Sequence, residues 1–278
     1  LGDVYKRQIY DYKELRAELE TFGISFCTHS DTEVLVNTLQ QYGEKALDKL
    51  RGMFGFAVWN EKEQTLMLAR DFFGIKPVYY AEIDGHFVFA SEIKSILAFP
   101  GYERKVNQKA LEQYLSFQYS PLEETFFKGI YKLMPGHMLL YKNGSYEIKT
   151  YFKPKLTPGQ WNHKTNMAQL RSQLSEILKD SVKHHMLSDV EVGAFLSGGV
   201  DSGYLASSSG ADQAFTVGFD EGDRYSEVNK AAKVAEKAGL KHHVKIISKQ
   251  EFWDALPDVM YHTVSYTHLR ATRHAQIS

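Results

Sequence analysis

The feature that most constrains this chain is Ser197-Gly198-Gly199-Val200-Asp201-Ser202, a glycine-bearing loop set between an apolar run at 190–196 and a helical pattern at 202–209. The alternation then continues: strand 214–219, helix 226–238, strand 243–247. Ser248 and Glu251 have the spacing of a capping box, opening a helix through Trp253. Short β-branched strands alternating with helices predict a parallel sheet covered on both faces. In such sheets ligands bind beyond the carboxyl ends of the strands, near helix N-termini.

The composition of the loop is that of a phosphate site. Backbone amides at a helix start are unpaired and carry partial positive charge, which favours a phosphate chain. Gly198 and Gly199 allow a sharp turn and a close approach of backbone to phosphate oxygens. The Ser197 and Ser202 hydroxyls add donors. Asp201 would be repelled by phosphate unless a cation intervenes, so Mg²⁺ between the two is expected. The loop contains no lysine, which separates it from the GxxxxGK[ST] nucleotide loop. A plain strand-to-helix turn with Ser202 as the helix N-cap is the competing reading of the loop taken alone.

The first half has a different texture. An amphipathic helix is predicted at 12–22 with Leu15, Leu19 and Phe22 on one face, then a short strand at 24–28. Ser30-Asp31-Thr32-Glu33 reads as a second capping box, opening a helix to Gly43. Strands are predicted at 53–59, 65–69, 78–83, 86–90, 138–142 and 145–151, with a capped helix at 107–117. Asp84-Gly85 and Asn143-Gly144 mark two-residue hairpins. The mixture is α+β. Residues 153–166, with Pro154, Pro158 and Gly159, read as a linker. A long helix comes next, its apolar stripe formed by Leu170, Leu174, Ile177 and Leu178.

With net charge −1 and no basic block, nothing marks a nucleic-acid partner. No apolar run approaches the roughly 18 residues of a membrane span. Cys27 is the single cysteine, which rules out a disulfide framework and fits a reducing cytoplasm. Alternating with Phe26 in an expected strand, it reads as a buried structural thiol. His184-His185 and His242-His243 lack metal-site spacing and read as solvated or core histidines. Residues 3–8 are encodable by a short DNA element whose reverse complement encodes Val-Ser-Tyr-Thr-His, the residues at 264–268. Residues 1–8 and 264–278 are therefore expected to derive from a sequencing adapter and to belong to neither domain.

Ser-Gly-Gly-Val-Asp-Ser at 197–202 resembles the pyrophosphate loop of ATP pyrophosphatases. Thr216-Val217-Gly218-Phe219, Tyr225-Ser226-Glu227 and His242-His243 resemble the segments downstream of that loop in asparagine synthetases. In the first half, Ser30-Asp31-Thr32-Glu33, Gly52-Met53-Phe54-Gly55-Phe56 and the run Ala69–Pro77 are similar to class II glutamine amidotransferase domains. Phe89-Ala90-Ser91-Glu92-Ile93-Lys94 and Lys132-Leu133-Met134-Pro135-Gly136-His137 resemble the asparagine synthetase branch.

The resemblance covers 9–263. It implies an incomplete αββα amidotransferase domain of the N-terminal-nucleophile type at 9–152, a linker at 153–166, and an incomplete α/β parallel-sheet ATP-pyrophosphatase domain at 167–263. It further implies ATP and Mg²⁺, with glutamine and aspartate as substrates. Glutamine-derived ammonia would amidate aspartate through a β-aspartyl-AMP intermediate. Carried residue by residue, ATP binding falls to Leu196, Ser197, Gly198, Gly199, Asp201, Ser202 and Val217, the metal to Asp201, and the glutamine α-amino group to Asp31. The family's nucleophile is an N-terminal cysteine whose own amine is the base. Ile9-Tyr10-Asp11-Tyr12 resembles the segment after the family's glutamine-binding Asn-Gly-Glu, so neither that motif nor the cysteine lies within these residues, and Cys27 is not its equivalent. The 278-residue chain is accordingly expected to be inactive. Left open are a relative acting on another acceptor, a nonenzymatic nucleotide-binding relic, and oligomeric state, a homodimer among the options.

Overall fold

A computed structural model describes residues 7–155, 166–188, 190–220 and 226–262. Much of the expected linker and nearly all of the expected adapter-derived ends lie outside these residues. The described chain divides into two compact units, one ending by Lys155 and one beginning at Asn166.

The first unit runs β1 (Arg7–Ile9), α1 (Tyr12–Thr21), α2 (Asp31–Tyr42), a 3-10 stretch (Gly43–Lys49), β2 (Gly52–Asn60), β3 (Thr65–Arg70), β4 (Tyr79–Ile83), β5 (His86–Ala90), α3 (Ile93–Leu97), α4 (Gln108–Phe117), β6 (Ile130–Lys132), β7 (His137–Lys142) and β8 (Ser145–Thr150). One antiparallel sheet has the order β1-β2-β3-β7-β8, the other β5-β4-β6. The two-residue period of a strand sorts neighbouring side chains into different layers. Ala69 and Met138 face α1 and α2, together with Leu15, Leu19, Val34, Leu35 and Phe54. Their neighbours Leu68 and Leu139 face the second sheet and meet Val78, Tyr80 and Leu133. Tyr79 and Ala81 turn outward again to Ile93 and Ile96 of α3. The result is an αββα stack, as the resemblance implied.

Local chemistry explains the tight turns. Asp84 and Gly85 have φ of 47° and 77°, Asn143 and Gly144 of 52° and 78°. Two consecutive positive φ values are what a type I′ hairpin demands.

Several local expectations fail in this unit. Residues 24–28 form no strand. The Ile24/Phe26 alternation is present, but Glu33 takes the amides of Cys27 and Thr28 at 2.7 and 2.6 Å, occupying groups a strand partner would need. Cys27 is exposed, not a buried thiol. The first capping box is half formed, because Ser30 Oγ accepts from the Thr32 amide at 3.0 Å while Glu33 is engaged upstream. Phe22, at the end of α1, is 56% exposed and meets Tyr42 edge-on. Arg7 and Gln8 pair with Phe54 and Met53 in β1, which leaves their expected adapter origin as it stood. Backbone pairing is indifferent to how a residue was encoded.

The run Arg70-Asp71 organises the turn after β3. Asp71, 1% exposed, accepts from the amides of Phe54 (3.2 Å), Phe73 (3.2 Å), Ile75 (2.8 Å) and Lys76 (2.8 Å). Arg70 donates to the carbonyls of Lys76, Leu133 and Gly74 at 2.8, 2.7 and 2.7 Å. An acid and a base thus satisfy, from inside, the backbone of a loop that carries no ladder of its own.

Lys132 is a further, half-buried charge. Its ammonium donates to Ser120 O at 2.6 Å. Burial, aided by the Arg70 charge and opposed by Glu124, holds its pKa down at about 8. Its unfolded value is about 10.4, so between these two pH values unfolding takes up a proton. Stability therefore rises as pH climbs through that window, the full cost of burying the charge being felt below it. Urea unfolding at about pH 9.5 is expected to show a higher midpoint than at about pH 7.5, and Lys132→Met to remove most of the difference.

The second unit runs α5 (Met167–His185), β9 (Ala194–Phe195), α6 (Val200–Ser209), β10 (Gln213–Phe219), α7 (Val228–Ala238), β11 (Lys241–Ile247) and α8 (Lys249–His262). The sheet is parallel, ordered β11-β10-β9. Ala206, Ala231 and Ala235 of α6 and α7 pack on Leu196 and Ala214. Gly218 has no room for a Cβ, which would lie 2.5 Å from Val228 and 2.8 Å from Ile246. Among the described residues the expected cover on both faces is found on one: Phe215, Val217 and Phe219, on the face away from α6 and α7, are 39–50% exposed. α8 reaches the end of that face through the edge-on Phe219–Phe252 pair at 6.5 Å. The stripe on α5 is likewise largely open at Leu170, Leu174 and Ile177, with Val182 buried instead. The second capping box is complete: Glu251 donates its amide to Ser248 Oγ at 3.1 Å and accepts that of Ser248 at 2.8 Å.

Candidate functional site

β9 is shorter than the expected strand at 190–196 and hands over to the loop at Leu196. The Leu196 amide still donates to Phe215 O at 2.9 Å, and its carbonyl accepts the Thr216 hydroxyl at 2.6 Å. Ser197 and Ser202 then close the loop on itself. Their hydroxyl oxygens lie 2.9 Å apart, and the Ser197 amide donates to Ser202 Oγ at 3.3 Å. Gly199 donates its amide to Ser197 Oγ at 3.4 Å.

The two glycines have different duties. Gly198 has φ +75°, and a Cβ there would lie 2.6 Å from Lys230 Cβ and 2.8 Å from the Ala231 amide nitrogen in α7. That position is held open by both backbone conformation and a neighbouring backbone. Gly199 is the N-cap of α6 and has ordinary room around it. The helix opens at Val200, two residues earlier than expected, so Ser202 sits in the first turn and is not the cap.

With a side-chain-free cap, the amides of Val200, Asp201 and Ser202 find no acceptor among the described residues. A helix start of this kind presents about half a positive charge together with aligned donors. Asp201 is exposed in the same turn. Amides, two hydroxyls and one carboxylate therefore gather within six consecutive residues, a set suited to a polyphosphate carrying a hard cation. Among the described residues no group of three or more His, Cys, Asp or Glu forms a ready-made metal cage, so any cation here would rely on ligand oxygens as well.

Leu196 and Val217 do not converge as side chains. Leu196 is 2% exposed in the core beneath α6 and α7, while Val217 is 50% exposed on the opposite face of the sheet. What they share is an end of the sheet, adjacent to the loop. The residues that sequence reasoning missed are Thr216, whose hydroxyl reaches the Leu196 carbonyl, and His242, whose ring lies against that hydroxyl. Thr216 was visible as a polar residue in an otherwise apolar strand.

In the first unit, Asp31 opens α2 and accepts the Ile9 amide at 3.5 Å, joining the helix to β1. Asp11, nearby in sequence, accepts the Arg51 amide at 3.0 Å. Burial raises the Asp11 pKa, and that hydrogen bond works against the rise. His184 and His185 each place Nδ1 on a carbonyl of their own helix, those of Asp180 and Ser181.

Residues 3–152 match the glutamine amidotransferase domain family, and residues 173–272 match the asparagine synthase family. Glutamine-hydrolyzing asparagine synthetase 1 of Bacillus subtilis is 40% identical over 264 residues, covering 93% of this chain and 41% of that protein. A putative glutamine-hydrolyzing asparagine synthetase of Mycobacterium tuberculosis is 36% identical over 269 residues, with the same coverage of 93% and 41%. Among solved structures, a B. subtilis glutamine phosphoribosylpyrophosphate amidotransferase complexed with ADP and GMP aligns at 18% identity over 86% of this chain and 44% of its own, TM-score 0.40. The chain thus spans about two fifths of the length of these curated relatives.

Proposed function

Because the chain belongs to the glutamine amidotransferase domain family and is a homologue of the glutamine-hydrolysing asparagine synthetases, we propose that it is part of an enzyme that amidates aspartate to asparagine at the expense of ATP, these 278 residues by themselves being inactive in that reaction. The nitrogen comes from glutamine, and β-aspartyl-AMP is the intermediate. The observation that carries the reading is the loop at 197–202, with its unpaired first-turn amides and paired serine hydroxyls at the end of a parallel sheet.

In this reading the amides of Val200, Asp201 and Ser202 and the hydroxyls of Ser197 and Ser202 hold the phosphate oxygens. Gly198 and Gly199 keep the backbone close enough to do so. Leu196, through its backbone, and Val217 flank the adenosine, and Asp201 holds Mg²⁺. Bound ATP supplies a phosphorus for the aspartate carboxylate to attack. The loop then stabilises the negative charge that gathers on the departing pyrophosphate. Asp31 takes the α-amino group of glutamine, a natural role for a partly buried carboxylate at a helix start. No helix among the described residues is long and apolar enough to cross a membrane. A cytoplasmic enzyme is the reading consistent with its substrates.

Calorimetric titration of the 278-residue chain with ATP, with and without Mg²⁺, tests the site. Binding strengthened by Mg²⁺ is expected. Asp201→Asn should lose about tenfold in affinity for MgATP, roughly 1.4 kcal/mol, and little for ATP in chelator. Equal losses in both conditions would remove Asp201 from the metal.

A further inference from the structure

The peptide that leads into the loop is held by side chains to which the phosphate chemistry assigns no part. Thr216, 4% exposed, places its hydroxyl 2.6 Å from Leu196 O and 2.7 Å from His242 Nε2. A hydroxyl has one proton to give, and a carbonyl can only accept. That proton therefore goes to Leu196. The Thr216 oxygen must in turn accept from His242, which places a proton on the imidazole Nε2.

Geometry puts this chain where regular pairing gives out. The last bridge between β9 and β10 joins Phe195 to Phe215. One residue further, the Leu196 amide still reaches Phe215 O, and the Thr216 hydroxyl takes the Leu196 carbonyl. Both polar groups of the last residue before Ser197 are thus anchored to β10. His242 belongs to β11, where it is paired with Ala214, so it stands one pleat from Thr216 on the same face. The adjacent His243 has different company: its Nε2 lies 2.9 Å from Gln213 Oε1, and its ring stacks on Phe215 at 4.9 Å.

We infer that His242 is a positioning residue for the loop, acting through Thr216 on the Leu196 carbonyl, so that three strands jointly set where the phosphate-binding backbone begins. The inference rests on the nucleotide reading above for its consequence, though not for its geometry.

The test uses the 278-residue chain, ¹⁵N-labelled. Imidazole spectra should show His242 protonated at Nε2. Thr216→Val should move that signal, speed amide exchange at Gly198 and Gly199, and weaken MgATP binding about three- to tenfold, the worth of one net hydrogen bond. Thr216→Ser, which keeps the hydroxyl, and His242→Gln, whose side-chain amide offers an N–H, should each restore most of the loss. They also serve if the valine variant folds poorly. His243→Ala should leave loop exchange and affinity unchanged. His242 protonated only at Nδ1, or a folded valine variant with wild-type exchange and affinity, would overturn the inference. A wild-type chain that binds no MgATP but whose loop loosens in Thr216→Val would support the anchoring and overturn the nucleotide reading instead.

Discussion

Replacing Asp71 by alanine is expected to unfold the first unit outright at moderate urea. Its carboxylate is 1% exposed and receives four backbone amides, from Phe54 in β2 and from Phe73, Ile75 and Lys76 in the adjoining turn. Removing it strands four buried or half-buried donors and leaves the Arg70 guanidinium, itself 5% exposed, without a nearby negative charge. Breaking a buried charged arrangement from one side costs about 3–5 kcal/mol, a large share of the roughly 5–15 kcal/mol that holds a domain together. Asp71→Asn keeps the shape and one acceptor, so an intermediate loss is expected. Urea midpoints of the two variants against the wild type check this, and an alanine variant within about 1 kcal/mol of wild type would show that the turn has another source of order.

The second large effect is at Gly198. A methyl group there meets Lys230 Cβ at 2.6 Å and the Ala231 amide at 2.8 Å, and the neighbour is helix backbone that has little freedom to retreat. The positive φ adds a further penalty of about 1–2 kcal/mol for any residue with a Cβ. The loop can relieve both only by moving away from α7, which takes its amides out of register with a bound phosphate. Gly198→Ala is therefore expected to weaken MgATP binding about a hundredfold or more, equivalent to roughly 2.7 kcal/mol. Gly199→Ala, with ordinary space around its site and a φ of −74°, should cost much less. Titration of both variants separates a specific steric demand from a general need for flexibility: equal losses would point to flexibility.

Where structure arises from short-range chemistry, it was legible in the sequence. Asp84-Gly85 and Asn143-Gly144 announce their hairpins because few other pairs accept two positive φ values in a row. The Ser248/Glu251 box formed as read, since both partners are local and nothing competes for them. Glu33 has the same spacing from Ser30, yet the upstream amides of Cys27 and Thr28 claim it, and that competition is settled by where the chain folds back. Residues 24–28 show the same limit: alternation is necessary for a strand, but the partner is supplied by tertiary structure. At the site, the two serine hydroxyls meet beside Gly199, while Gly198 faces α7. The pairing of Leu196 with Val217 did not translate into a shared side-chain surface, because odd and even positions in neighbouring strands face opposite ways. Arg70 and Asp71 look in sequence like two more surface charges, and their work on backbone groups as distant as Leu133 is invisible without the fold.

The two faces of β10 are built from different size classes: Ala214, Thr216 and Gly218 toward the helices, Phe215, Val217 and Phe219 away from them. A mispairing by one residue would exchange these sets. Phenylalanine would then be driven against α7, at a level where even a single added carbon has no room. An offset sheet would not close under its helices, so the alternation of small and large side chains along β10 specifies its register.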